Sequence, residues 1–519
     1  MAFNSIEKFE RKTGKNLYDY QHNAINDIFE RIEKPDEKVN LLYQLPTGGG
    51  KTVIFSEFAR RYINDTRKKV LILTHRVELC AQTSRMLDEF GVPNKIIDSK
   101  VKELPDQDEF GCFVAMVETL SNRIQDSRIN LRQLGLVIID EAHYNSFRKL
   151  FRYFEHCNIL GVTATPLSSN LKLPMKDHYD SLIVGQSISE LVRNQFLSKA
   201  DTYSYNVNLK SLSVGVNGDY TVASSERLYS NFEMQEKLLQ AYEERSKDKK
   251  TLIFNNGIQT SRNVAITFEN AGYDVRHLDN TNTEKERKEI LHWFKVTPKA
   301  VLTSVSILTT GFDEPTVDTI ILNRATKSLT LYHQMIGRGS RILPEKRRFV
   351  VLDLGNNALR FGLWDSYIDW KEIFRAPLSY INNLSNDDDL QRNFRYEMPE
   401  IIRVRFPNTK SEHFEFDVKA EYKKVIAQAL KAKEVLNLSH DKHAVQILEN
   451  SEDLGDALEL IDVLNDEIKY RIKAYSYCIT SNSDNFVQWL EEEYVRKLKN
   501  TVRQHQFHEI EAKGFTIVF

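Results

Sequence analysis

The stretch that most constrains this chain runs from Leu41 to Phe55, Leu-Leu-Tyr-Gln-Leu-Pro-Thr-Gly-Gly-Gly-Lys-Thr-Val-Ile-Phe. Its apolar start predicts a buried strand, its glycines a sharp turn, and the spacing after Lys51 a helix. Such a turn leaves bare N–H groups at the positive end of a helix dipole, an arrangement that suits phosphate. Gly48, Gly49 and Gly50 put no Cβ in the way and permit positive φ. Lys51 then reaches the outer phosphates of a triphosphate, and the Thr52 hydroxyl reaches Mg2+. The general pattern G-x-x-x-x-G-K-[ST] fails at its first position, where Leu45 stands, but Pro46-Thr47-Gly48-Gly49-Gly50-Lys51-Thr52 keeps the rest. A glycine hairpin is the bland alternative, and the apolar strand before and helix after argue against it.

The chain has 519 residues, enough for roughly three or four domains. Hydrophobic residues at 41% and charged residues at 28% fit a soluble globular protein. No apolar run approaches a membrane span, and the start lacks a signal-peptide core, so a cytoplasmic location is expected. Cys80, Cys112, Cys157 and Cys478 are scattered with no C-x-x-C pair, so neither zinc nor disulfides are expected. A net charge of −2 gives no bulk case for nucleic-acid binding, which must rest on local groups.

Residues up to Asp36 read as helical and contain Gln21, whose amide can offer adenine both a donor and an acceptor. Strand-then-helix patterns recur at Lys69–Thr74 with 77–82, and at Cys112 to Val117 with 118–120. This alternation predicts a parallel sheet with helices on both faces, whose ligand edge lies where the strands end. Thr74, His75, Arg76 and Thr119 fall at that rim, where they could meet nucleic-acid phosphates or simply cap helices. Another buried strand ends in Asp140-Glu141-Ala142-His143. Neighbouring carboxylates at a strand tip face opposite ways, so Asp140 can hold Mg2+ while Glu141 orients and deprotonates water. The strand reaching Thr163-Ala164-Thr165 also ends in hydroxyls.

Beyond Leu167 the pattern loosens, with a helix over 187–196, a strand over 203–207 and a loop or hairpin over 211–218. A second strand-helix series begins at Thr251 and has no phosphate loop of its own. Its marked segments are Leu308-Thr309-Thr310-Gly311-Phe312-Asp313 and Tyr332 to Arg341. Arg338 and Arg341, three apart, would share one helix face and could neutralise charge growing on a phosphate.

After the polar, acidic run Asn382 to Asp389, alternation at Ile401 to Phe406 and at His413 to Val418 predicts a hairpin, followed by helices over 420–436, 454–475 and 485–506. No chemistry stands out there, and His440 and His443 read as surface or capping residues. The expected division is 1–198 for the first sheet domain, 199–246 for a connecting segment, 247–378 for the second sheet domain, and 379–519 for a small α+β accessory domain.

Taken together, Gln21, the Pro46 to Thr52 loop, Asp140-Glu141-Ala142-His143, Thr163-Ala164-Thr165, Thr309 to Asp313 and Gln334 to Arg341 resemble superfamily 2 DEAD/DEAH-box helicases. The segment Leu308 to Pro315 with Ser328 to Gly339 is similar to the RadD branch and to motor subunits of type I and type III restriction enzymes. The resemblance implies two RecA-like domains with ATP and Mg2+ in the cleft. Thr47 to Thr52 with Gln21, Gly311 and Asp313 would bind the nucleotide, and Thr52 with Asp140 the metal. Glu141, Lys51, Gln334, Arg338 and Arg341 would act in hydrolysis. Thr74, His75, Arg76, Thr119 and Thr310 would lie near the nucleic-acid strand, with DNA favoured over RNA, while Thr163 and Thr165 couple the events. The arginine that often precedes the adenine glutamine is missing, as is the cysteine-rich zinc tail of RadD proteins. The expected function is a DNA helicase or translocase in repair or recombination. The alternatives are the motor of a restriction or phage-defence complex, with a protein partner on the C-terminal domain, and a non-catalytic nucleic-acid-binding scaffold.

Overall fold

A computed structural model describes residues 16–32, 38–98, 109–125, 131, 133–305, 308, 312–382, 384, 390, 396, 398–409, 414, 416–479 and 483–512. Thr309, Thr310 and Gly311 lie outside the described residues, as does most of the acidic run after Asn382. The chain divides into Met1–Asp387 and Asp388–Phe519.

The first unit holds two sheets, whose central strands are apolar runs buried on both faces while their edge strands are partly exposed. Leu134–Asp140 is buried at every position, as expected for a strand covered by helices on both sides. The first sheet comprises β1 (Asn40–Gln44), β2 (Lys69–Thr74), β3 (Asn94–Ile97), β4 (Cys112–Met116), β5 (Leu134–Asp140), β6 (Asn158–Thr163) and β7 (Ser181–Val184). Its order is β3-β4-β2-β5-β6-β1-β7 and every pairing is parallel. Helices α1 (Asp19–Ile32), α2 (Lys51–Thr66), α3 (Val77–Glu89), α4 (Val117–Gln125) and α5 (Ile188–Arg193) belong to this lobe, with a 3-10 helix over Asn145–Tyr153. Ser187 and Glu190 form a reciprocal cap that starts α5.

The second sheet comprises β8 (Lys199–Ser204), β9 (Thr251–Asn255), β10 (Val275–Leu278), β11 (Val301–Val305), β12 (Thr319–Asn323) and β13 (Arg348–Asp353), in the parallel order β10-β11-β9-β12-β13-β8. Around it lie α6 (Val222–Tyr229), α7 (Phe232–Ser246), α8 (Ile258–Asn270), α9 (Glu284–Val296), α10 (Leu329–Ile336), α11 (Asn357–Phe361), α12 (Trp370–Arg375) and α13 (Pro377–Asn382). These are two RecA-like domains. Residues 199–246 do not stand apart as a connector: β8 is the edge strand of the second sheet, and the Tyr229 hydroxyl of α6 donates to the Leu354 carbonyl at 3.2 Å. The turn from lobe to lobe is Leu197-Ser198, where Ser198 N–H donates to the Ser340 carbonyl at 2.8 Å.

The chain also returns to the first lobe. Phe374 of α12 packs into the core beneath Met175 and Tyr179, and Lys176 Nζ donates to the Arg375 carbonyl at 2.8 Å. Trp370 at the start of the same helix meets the His333 ring of α10 at 5.9 Å.

In the second unit the described residues are helical: α14 (Glu400–Arg403), α15 (Val418–Ala427), α16 (Glu434–Glu449), α17 (Leu454–Val463), α18 (Asn465–Cys478) and α19 (Asp484–Ala512). The expected hairpin is therefore corrected. Ile401 to Arg403 form one helical turn, started by the Pro399 carbonyl accepting from Ile402 and Arg403 N–H. Proline pre-sets a helical first turn, and the short alternating run lost its strand character to burial of Phe406 in a helix bundle. His443 is fully buried rather than at the surface.

Candidate active site

The phosphate-loop residues take the predicted shape. β1 ends at Gln44, the turn passes through Gly48 (φ 92°) and Gly50 (φ 85°), and α2 starts at Lys51. Both glycines sit in the left-handed region that side chains resist. A Cβ on Gly50 would lie 2.6 Å from Gln21 Nε2. The Tyr20 hydroxyl donates to the Gly49 carbonyl at 2.8 Å, bracing the loop from α1. Gln21 itself is buried, and its Oε1 accepts from Tyr18 N–H at 3.0 Å.

The second lobe faces this loop. A Cβ on Gly48 would lie 2.8 Å from Ser340 Oγ and 3.1 Å from Arg341 Nη1, and one on Gly337 would lie 2.7 Å from the Thr47 side chain. Arg338 and Arg341 do not share a helix face. Gly337 caps α10, and both arginines sit in the turn beyond it because the two glycines there end the helix. Arg338 donates to the Phe312 carbonyl at 2.5 Å, and Arg341 Nε to Asp313 at 2.6 Å. Asp313, expected at the nucleotide, is thus the partner of an arginine.

Charge converges on Lys51. Burial lowers its pKa, while Glu141 and Asp140 favour the charged ammonium. Burial and the neighbouring Glu141 push the Asp140 carboxyl upward, to about 7. Burial opposes ionisation of Glu141 too, but Lys51, His143, His75 and Arg338 outweigh it and leave that carboxyl below its ordinary value. Burial likewise lowers Arg338, to about 10. Two adjacent carboxyls are thereby pushed apart, as two different tasks require.

Glu141 has a φ of 51°, rare for a residue with a side chain. Its Oε2 is buried without a hydrogen bond, 3.4 Å from His143 Nδ1. That nitrogen also meets Thr163 Oγ1 at 3.0 Å, and Thr163 Oγ1 donates to the Thr165 carbonyl at 3.0 Å. The Thr165 hydroxyl crosses the cleft to Thr330 on α10, at 2.9 Å. Thr330 was not singled out from sequence; it lies four residues before Gln334, a signal visible only once α10 faces Thr165.

The rim residues separate. Thr74 is fully buried, its hydroxyl donating to the Arg76 carbonyl at 3.1 Å and lying 3.0 Å from Cys80 Sγ. His75 turns towards the Asp140–His143 turn, its ring 4.1 Å from that of Tyr144, and burial drives its pKa down to about 4. Arg76 caps α3 with extended backbone and no side-chain cap. Thr119 is half-buried on α4.

Matches to known proteins fall on these same two lobes. Residues 14–168 match the family described as Type III restriction enzyme, res subunit, and residues 231–343 match the Helicase conserved C-terminal domain. The chain carries a superfamily 2 helicase motor. That motor is 28% identical over 340 residues to the 51.5 kDa protein of a Lactococcus phage (isolate 7-9), covering 64% of this chain and 70% of that one. It is 29% identical over 356 residues to a Saccharomyces cerevisiae protein assigned the name ATP-dependent helicase IRC3, covering 65% of this chain and 51% of that one. The chain therefore spans about half the length of the yeast relative. In fold it is similar to a fragment assigned to the HsdR subunit of a type I restriction enzyme from Vibrio vulnificus YJ016, with a TM-score of 0.54, 21% identity and 67% of each chain covered. The helicase motor is an ATPase, and among the described residues no helix is long and apolar enough to cross a membrane.

The residues fit ATP and Mg2+. Thr47 Oγ1 on the phosphate loop, Glu141 Oε2 and Gln334 Nε2 are buried polar atoms without hydrogen-bond partners, and a Cβ on Gly337 next to Arg338 would lie 2.7 Å from the Thr47 side chain. Buried polar groups are rarely left so unless a ligand completes them.

Proposed function

We propose that this motor hydrolyses ATP to move along DNA, as a translocase or helicase serving repair or recombination. One observation carries the proposal: the Arg341 guanidinium of the second lobe stands over Gly48 of the first, so both halves address one phosphate site. Thr47, Gly48, Gly49, Gly50 and Lys51 bind the phosphates, Gln21 flanks the base, and Thr52 with Asp140 hold Mg2+. The metal, when bound, neutralises charge on the outer phosphates. Glu141 orients a water and takes its proton. Arg338 and Arg341 stabilise charge that builds on the transferred group, and Gln334 completes the contact from α10. The Thr165–Thr330 hydrogen bond lets the second lobe register the state of the first. Arg76 and Thr119 lie at the strand-end rim beside α3 and α4, where a nucleic-acid backbone would be held by phosphate contacts.

ATP turnover measured alone and with single-stranded DNA, duplex DNA and RNA tests this directly. Stimulation of about tenfold or more by DNA is the expected result. Equal rates under every condition would remove nucleic acid from the mechanism, and a larger response to RNA would replace DNA with RNA.

The match of residues 14–168 to restriction res subunits supports a second reading, a motor within a restriction or phage-defence complex. In that case residues 388–519 are the candidate docking region, and a partner should co-purify with the chain but not with one lacking them.

A further inference from the structure

Three aromatic rings join the start of α3 to the catalytic turn. His75, between β2 and α3, stacks on Tyr144 with centroids 4.1 Å apart, and Tyr144 in turn lies 4.4 Å from His143. Both His75 nitrogens are buried without hydrogen bonds, so packing rather than polar contacts fixes this ring. Tyr144 is also tied to Glu141 by backbone: its N–H donates to the Glu141 carbonyl at 3.2 Å, closing the turn that holds Glu141 at φ 51°. A left-handed non-glycine residue persists only when its surroundings hold it there. Other fastenings of the turn include Glu141 N–H on Asp140 Oδ1 at 3.0 Å, Ala142 N–H on the Val162 carbonyl at 3.0 Å, His143 Nδ1 beside Thr163 Oγ1 at 3.0 Å and Ser169 N–H on the His143 carbonyl at 3.1 Å. None of these involves the start of α3. Beyond the direct charge effect of His75 on Glu141, the Tyr144 ring is a packing contact through which residues 75–76 can reach the turn.

We propose that Tyr144 is a positioning residue that carries the placement of His75 and Arg76 to Glu141, so that a nucleic-acid strand held at the α3 start aligns the water-activating carboxylate. This rests on the nucleic-acid reading above. Its role is indirect: its ring orients the turn, and its backbone N–H binds the Glu141 carbonyl. The ring stack, not the phenol hydroxyl, is what matters, because the contacts to His75 and His143 are ring to ring.

The test uses the full chain and reads the ratio of DNA-stimulated to basal ATP turnover, with oligonucleotide affinity followed separately by fluorescence anisotropy. In Tyr144→Leu the ratio should fall about tenfold, while KM for ATP and oligonucleotide affinity stay within about threefold. Tyr144→Phe should restore it. His75→Leu and His75→Phe should repeat the change in ratio, read at saturating oligonucleotide so that any loss of affinity is separated from it, and they stand in if Tyr144→Leu does not fold. An undiminished ratio in Tyr144→Leu, or a Tyr144→Phe variant as impaired as Tyr144→Leu, overturns the proposal. A parent stimulated by no nucleic acid overturns the functional reading itself, and this coupling with it.

Discussion

Asp140 and Glu141 are adjacent, yet burial and neighbouring charge drive them in opposite directions, the first up to about 7 and the second below its ordinary value. An ionised Glu141 at pH 7 is what a base requires. Glu141→Gln should cut ATP turnover by about a hundredfold or more while a fluorescent nucleotide still binds, because the amide keeps the shape but accepts no proton. Parental turnover in that variant would remove Glu141 from the base role. Arg341→Ala should lower turnover by roughly a thousandfold with little change in nucleotide affinity. Asp313→Asn should have a milder effect in the same assay, since Asp313 only steers the Arg341 guanidinium. Residue types at motif positions were legible in the sequence; their directions were not. Thr74 ends a strand as expected, but α3 buries it and its hydroxyl faces Cys80, a choice set by packing that spacing does not encode.

At the scale of elements, the strand-glycine-helix unit was legible because three signals agree there: an apolar run, a turn and a helical period. Gly50→Ala tests the turn. A Cβ there meets Gln21 Nε2 at 2.6 Å in a left-handed backbone, so nucleotide affinity should fall about tenfold or more, a loss readable by titration. Elements with weaker signals were misjudged. The run Ile401 to Phe406 alternates like a strand, but Pro399 and a neighbouring bundle make it helical, and α10 stops at Gly337 before either arginine. The helices α16, α18 and α19 hide a polar network: Arg471 pairs with Glu467, and His443 Nδ1 lies 2.9 Å from the Tyr494 hydroxyl. Burial, with the nearby Arg471 charge, holds His443 down at about 4 against an ordinary 6.5. The unfolded chain therefore takes up this proton first. The stabilisation is complete above pH 6.5 and is lost as pH falls towards 4, by roughly 3 kcal/mol. Burial opposes ionisation of Glu467, but Arg471 and His443 leave it below its ordinary value, so acid weakens the bundle further. Scanning calorimetry should show a transition that moves down across this window in the parent and is flatter in His443→Gln.

At the scale of the whole molecule, the two-lobe plan was legible in the repeated strand-helix alternation, and the return of the chain to the first lobe was not, since nothing in Trp370 to Arg375 announces a partner more than a hundred residues back. Phe374→Ala should lower the stability of the first unit by about 3 kcal/mol, the lower end for a buried ring truncated to Ala, and chemical denaturation would show it. The polypeptide crosses between the lobes at Leu197-Ser198 and again before Phe374, so the two halves are tied at two places. Any opening of the cleft must therefore respect both tethers at once, which leaves the second half fewer ways to part from the first than a single linker would allow.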